Sequence, residues 1–200
     1  DPPKNYKLAE TIANWKKEER LRRQKAYEDD LERCSLDPDL CRIVAIGAMT
    51  QRMTQPSVFL CKDETEEKAA LELFWDGVGM GMLVGFNVVE FDMPVLLRRS
   101  LLLGVRAPRM VISKYKHPRI IDMMVNLSFD RMTTYRKQSF YVKRFGLAGR
   151  VPEDCHDGSD IARLVHDGDW DAIAHHVSCD VLGCMALAEF TGTVGRTAVT

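Results

Sequence analysis

The sequence lacks any apolar run of membrane-spanning length, and no secretory leader is expected ahead of its first residue. That sets the expectation of a chain kept in the aqueous phase, with no membrane partner. It has no CxxC pair: its six cysteines stand at 34, 41, 61, 155, 179 and 184, which argues against a zinc ribbon. A chain of 200 residues that is 46% hydrophobic needs no disulfide staples, so the thiols are expected to be reduced, as in a cytoplasmic protein. Internal repeats and low-complexity tracts are missing as well, which excludes solenoids and long disordered tails. The chain opens on Asp1 rather than Met, as a processed product or a fragment would. A large charge of one sign is also lacking. The net charge is −1, so any polyanion has to be met by a local basic patch rather than by the whole surface.

Such a patch exists. From Arg106 to Arg150 there are eleven Lys and Arg against only Asp122 and Asp130; from Val151 to Phe190 Arg163 stands alone against nine acids. The first stretch suits a phosphate backbone and the second suits metal ions, although both also read as solvated faces. Residues 1–35 form a charged segment that reads as helix over 9–33 with few recurring apolar positions. A turn follows at Leu36–Asp39. Residues 42–49 read as a strand buried on both faces, and Ser57–Cys61 as its hairpin neighbour. Asp63-Glu64-Thr65-Glu66 resembles a capping box opening an amphipathic helix to Val78. Residues 82–87 read as another buried strand, 92–103 as a helix closed by Gly104, and 119–122 as a last strand. Helices are expected near 137–145, 158–166 and 169–190. The order implies an α/β domain, a sheet flanked by helices, over residues 36–195.

Two stretches carry chemistry. In Gly85-Phe86-Asn87-Val88-Val89-Glu90-Phe91-Asp92 a carboxylate follows the carboxyl end of a buried strand, where α/β folds place ligands. Asp92 there is either a metal ligand or the cap of the next helix. In His175-His176-Val177-Ser178-Cys179-Asp180, His176 and Asp180 lie one helical turn apart beside an apolar stripe. A carboxylate at such an edge is costly unless it is paired or binds a cation. A zinc cluster of His175, His176, Cys179 and Cys184, or one including Cys155 and His156, matches no common structural spacing.

Taken together, these stretches resemble the DEDD, or DnaQ-like, superfamily of 3′–5′ exonucleases with a ribonuclease H-like fold. Asn87-x3-Phe91-Asp92 is similar to the family's second motif. The third motif ends in an aspartate with tyrosine four residues earlier or histidine five earlier; Asp180 has His176 and His175 at those spacings. Ile121-Asp122 and Ser139–Leu147 resemble the segment joining the last strand to the helical end. The likeness covers roughly residues 42–190 and is closest to phage or prophage members that carry a charged helical insertion.

The resemblance implies two divalent cations, Mg2+ or Mn2+, held in part by Asp92 and Asp180. It implies a nucleic acid with a single-stranded 3′ end as substrate, DNA with RNA as the other candidate. Asn87 and Phe91 would shape the cleft, and Lys143 and Arg144 would meet phosphates. Replication or repair proteins would be partners, in the cytoplasm of a bacterial or phage-infected cell. A histidine would be the general base. On a continuous helix at about 100° per residue, position 176 lies roughly 40° from Asp180 and position 175 about 140° away. His176 is therefore favoured, with His175 the alternative if the helix breaks.

The family's first motif, a central strand with an Asp-x-Glu pair, does not stand before the charged segment, and Asp63-Glu64 sits in the wrong context. The mixed sheet is therefore expected without its first central strand, and the chain as written is expected to be inactive or weak. The competing expectation is a non-catalytic nucleic-acid-binding or partner-binding module on the same fold; a third is a structural domain stabilised by Cys and His metal binding.

Overall fold

The computed structural model describes residues 9–113, 116–154 and 156–195. The chain divides into two units, residues 1–41 and 42–200. The first is dominated by helix α1 (Ala9–Leu36). Its few apolar residues gather on no common face, and Leu21 and Tyr27 are exposed. Local charge pairing supports it: Arg23 Nε donates to Glu19 Oε1 at 3.0 Å, and Arg22 lies 3.6 Å from the same carboxylate. Each such pair contributes only about 0.2–0.5 kcal/mol. No helix among the described residues is long and apolar enough to cross a membrane.

The second unit is mixed α/β, with two small sheets. Strands β1 (Ala45–Ala48) and β2 (Ser57–Leu60) pair antiparallel, Ala45 opposite Leu60 and Ala48 opposite Ser57. Strands β3 (Leu83–Gly85) and β4 (Ile120–Asp122) pair in parallel, Leu83 opposite Ile120 and Gly85 opposite Asp122. Helices α2 (Glu64–Val78) and α3 (Asp92–Leu103) precede β4. After it come α4 (Met123–Leu127), α5 (Gln138–Arg144), α6 (Ile161–Asp167) and α7 (Trp170–Phe190). Helix α7 packs on β1, β2 and β3, and so serves both sheets, while α2 packs on β1, β2 and α3.

The strands expected to be buried on both faces are only half-buried. In β1 Ile46 alone is buried, and β3 has no buried residue. Each sheet has two strands among the described residues, so every strand keeps one unpaired edge. The helix expected over 158–166 is divided. A 3-10 turn (Gly158–Asp160) is capped by Asp157, and α6 follows and ends at Gly168 in the left-handed region. At α2 the capping exchange is displaced by one residue. Asp63 accepts the N–H groups of Thr65 and Glu66, but Glu66 reaches back to the N–H of Lys62. Helix α4 has no counterpart in the sequence pattern; Asp122 at its N-cap accepts from Met124 and Val125.

Buried charge ties α2 to α3. Glu67, fully buried, receives Arg99 Nε at 2.6 Å and Nη2 at 2.7 Å, and also accepts the N–H of Ile43 at 3.1 Å. Trp75 Nε1 donates to Ser100 Oγ between the same helices. On the other side Met123, Tyr141, Val142, Leu147 and Leu187 form a common core under α7.

Candidate active site

The parallel strands β3 and β4 end side by side, and Asp122 organises the turns beyond both of them. Its carboxylate is buried and accepts the N–H groups of Asn87 (3.0 Å) and Val89 (3.1 Å) while capping α4. Asn87 turns the chain with φ 59°, a left-handed conformation in which asparagine is enriched. This clamp delivers α3 with Asp92 as its first residue. The N-cap position is Phe91, and no side chain caps the helix, so Asp92 is free of the capping task. Asn87 Oδ1 is buried with no hydrogen-bond partner.

Helix α7 runs unbroken through both histidines. His176 is buried and its Nδ1 lies 2.6 Å from Asp154 Oδ2; its Nε2 lies 3.6 Å from Asp180 Oδ2. Burial works against the Asp154 charge, but hydrogen bonds from the His156 N–H and from His176 outweigh it and hold that carboxyl below the usual range. An ionised carboxylate only accepts, so Nδ1 carries a proton and Nε2 faces Asp180. His175 points elsewhere, its Nε2 at 2.8 Å from the Glu153 carbonyl oxygen.

Asp92 lies within the field of Asp180. Solvent reaches both side chains, yet protein crowds them. Burial, followed by the charges of Asp122 and Asp180, pushes Asp92 up to about 6 against the pull of its own N–H. Burial likewise raises Asp180, with Asp154 adding to the shift and His176 opposing it. The Cys184 thiol, pushed up to about 12 chiefly by burial, lies within the field of Asp122, Asp180 and Asp92 together. Cys179 is pushed up to about 11 for the same first reason. Both thiols therefore stay protonated at neutral pH. Cys155 lies outside the described residues.

The remaining candidates lie on α5 and beside Asp92. Helix α5 crosses α7 with Gln138 Nε2 donating to the Asp180 carbonyl at 2.9 Å. Gly183 permits the approach, since a Cβ there would sit 2.4 Å from Gln138 Nε2. Lys143 and Arg144 are exposed in the last turn of α5. Phe91 is half-buried beside Asp92. Sequence reasoning missed Asp154, Asp122 and Gln138. An acid directly after a strand was the available sign for Asp122; Asp154 and Gln138 act through contacts distant in sequence.

Asp92 and Asp180 are residue types that suit a divalent ion, but only in part. Among the described residues no group of three or more His, Cys, Asp or Glu side chains is arranged to hold a metal, and Asp122 already accepts from backbone. A family model described as a predicted 3′–5′ exonuclease related to the exonuclease domain of PolB matches residues 34–187. No curated protein and no solved structure matches the chain.

Proposed function

Because the chain belongs to the family of predicted 3′–5′ exonucleases related to the exonuclease domain of PolB, we propose that it hydrolyses phosphodiester bonds from the 3′ end of single-stranded DNA, with RNA as the other substrate. The observation that supports this reading is the Asp154–His176–Asp180 chain of contacts, with the charge of Asp180 felt at Asp92. Asp92 and Asp180 would hold a Mg2+ or Mn2+ ion, and a second ion would complete the pair. Such ions, when bound, polarise water and the scissile phosphate. His176 accepts the proton of the attacking water at Nε2, because Asp154 occupies the Nδ1 proton. Asn87 Oδ1, buried without a partner, supplies an acceptor for the terminal nucleotide, and a ligand donor there relieves a buried group that is otherwise costly. Phe91 lines the same turn, and Lys143 and Arg144 meet the phosphates.

Two carboxylates are too few for a tight magnesium site. An Asp-x-Glu strand of the kind the DEDD resemblance calls for would lie between β1 and β3 and add the remaining ligands. The 200-residue chain is accordingly weak or inactive by itself, and a version extended upstream with that strand is active. The test uses a 5′-labelled single-stranded oligonucleotide with Mn2+ or Mg2+. The extended protein shortens it one nucleotide at a time, EDTA stops the reaction, and the unextended chain is slower by at least about a hundredfold, a loss of the size expected on removing catalytic electrostatics. An extended protein that cleaves neither DNA nor RNA contradicts the reading. The shortage of ligands favours the second reading, a binding module without chemistry, and salt-sensitive binding without cleavage would establish it.

A further inference from the structure

We propose that the segment Phe129–Gln138 is a nucleobase-binding rim that takes unpaired bases of single-stranded nucleic acid on Phe129 and Met132, with neighbouring cations on the phosphates. The proposal rests on the nuclease reading for its substrate class. Both ends of the segment are fixed beside the two carboxylates of the site. At one end Arg131 pairs with Glu90, two residues before Asp92. At the other Gln138 donates to the carbonyl of Asp180. The segment therefore passes from the neighbourhood of one carboxylate to that of the other.

Its apolar side chains are held outwards by an unusual backbone. Phe129, Asp130 and Arg131 have φ of 53°, 53° and 71° in succession, a run of left-handed residues without glycine that is disfavoured unless its surroundings enforce it. Ser128, fully buried, enforces it. Its Oγ receives the Arg131 N–H at 3.3 Å, and its carbonyl receives both the N–H and the hydroxyl of Thr133. The result leaves Phe129 64% and Met132 82% exposed, flanking an open cleft of about 320 Å³ with Asn126 and Asp130. Side chains of this kind this far out of the core call for a ligand with an apolar face.

Charge decides which ligand. Between Phe129 and Arg144 the cations are Arg131, Arg136, Lys137, Lys143 and Arg144 with Asp130 the one acid in the stretch, while Arg131 pairs with Glu90 and Lys137 lies 3.5 Å from Asp157. Arg131 lies 5.8 Å from the Tyr135 ring centroid and Arg136 lies 5.4 Å from that of Phe140. An apolar protein partner would match Phe129 and Met132 but not the exposed Arg136, Lys143 and Arg144 among aromatic rings. Stacked bases on a phosphate chain match both, without regard to base sequence.

The test compares two fluorescent ligands by anisotropy in EDTA, so that cleavage plays no part: a twelve-nucleotide oligothymidylate and an abasic oligomer of the same length. The variants are F129A/M132A, whose side chains are exposed, and F129W, which preserves the ring. Base stacking predicts that F129A/M132A weakens oligothymidylate binding about fivefold or more and leaves the abasic oligomer within about twofold. F129W retains binding, and its indole emission is quenched by oligothymidylate but not by the abasic oligomer. Equal affinity of F129A/M132A and wild type for oligothymidylate overturns the proposal, as does an equal loss on both ligands or no binding by wild type. Selective loss of base binding in a protein that never cleaves would uphold the rim while refuting the nuclease reading. Unchanged binding in a protein that does cleave would do the reverse.

Discussion

The Nδ1–H of His176 is committed to Asp154, 2.6 Å away. That commitment separates the two adjacent histidines, since His175 is turned to the Glu153 carbonyl. In an upstream-extended protein, His176→Ala should lower kcat by about 10²–10⁴-fold, and Asp154→Asn by roughly 10–100-fold with KM little changed. His175→Ala should stay within about twofold of wild type. Single-turnover rates on a labelled oligonucleotide check all three; equal losses for the two histidines would remove the assignment. The relation of His176 to Asp180 was legible in the sequence because it is one turn of one helix. Asp154 was not, because it stands 22 positions before His176, and the way α6 folds back onto α7 is specified by no local pattern. Asp92 offers a second test at this scale. Its carboxyl is raised from an ordinary 3.8 to about 6 in the folded protein, so the folded state holds the proton more tightly than the unfolded one. Stability linked to this group is fully present below about pH 4 and is lost as pH rises through about 6. Without divalent metal, Asp92→Asn should therefore raise Tm relative to wild type at pH 7.5 and leave it nearly unchanged at pH 4. Calorimetry in EDTA at the two pH values reads this out; an equal shift at both would contradict it.

Among the elements, α3 shows best how much the sequence disclosed. Its bounds at Asp92 and Leu103 follow from an acid after a strand, Pro94 in the first turn and Gly104 in the left-handed region at the end. The strands were less legible. Apolar runs at 42–49 and 82–87 announced buried strands, but burial depends on neighbours, and each two-stranded sheet leaves edges unpaired. Helix α4 escaped notice because Asp122 both caps it and clamps the Asn87 turn, the second a contact across 35 residues. The Glu67–Arg99 pair was invisible for the same reason. It joins α2, α3 and the residue Ile43 just before β1, and removing one partner strands a buried charge. Arg99→Met should cost about 3–5 kcal/mol, a Tm loss of roughly 6–20 °C. Adding Glu67→Gln to it should recover part of that loss. Thermal melts of the three variants measure this. A double variant as unstable as the sum of the singles would show that the two side chains act independently.

For the molecule as a whole, the proposed function requires two carboxylates distant in sequence to serve one ion. The parallel strands deliver Asp92 and α7 delivers Asp180, while β1 lies so close on α7 that a Cβ at Gly47 would sit 2.4 Å from Val177. The overall class, α/β with a nuclease resemblance, was legible because the order and spacing of motifs survive in the linear chain. The division into two separate sheets was not, since pairing is a property of the folded molecule. The most direct test is a double-mutant cycle on Mn2+ binding, followed by electron paramagnetic resonance of the free ion at millimolar concentration, with wild type, Asp92→Asn, Asp180→Asn and the double variant. A shared ion predicts that each single change weakens binding by about tenfold or more and that the double variant binds no more weakly than the weaker single. Undiminished binding in either single variant, or losses that simply add, would show that these carboxylates do not hold a common cation.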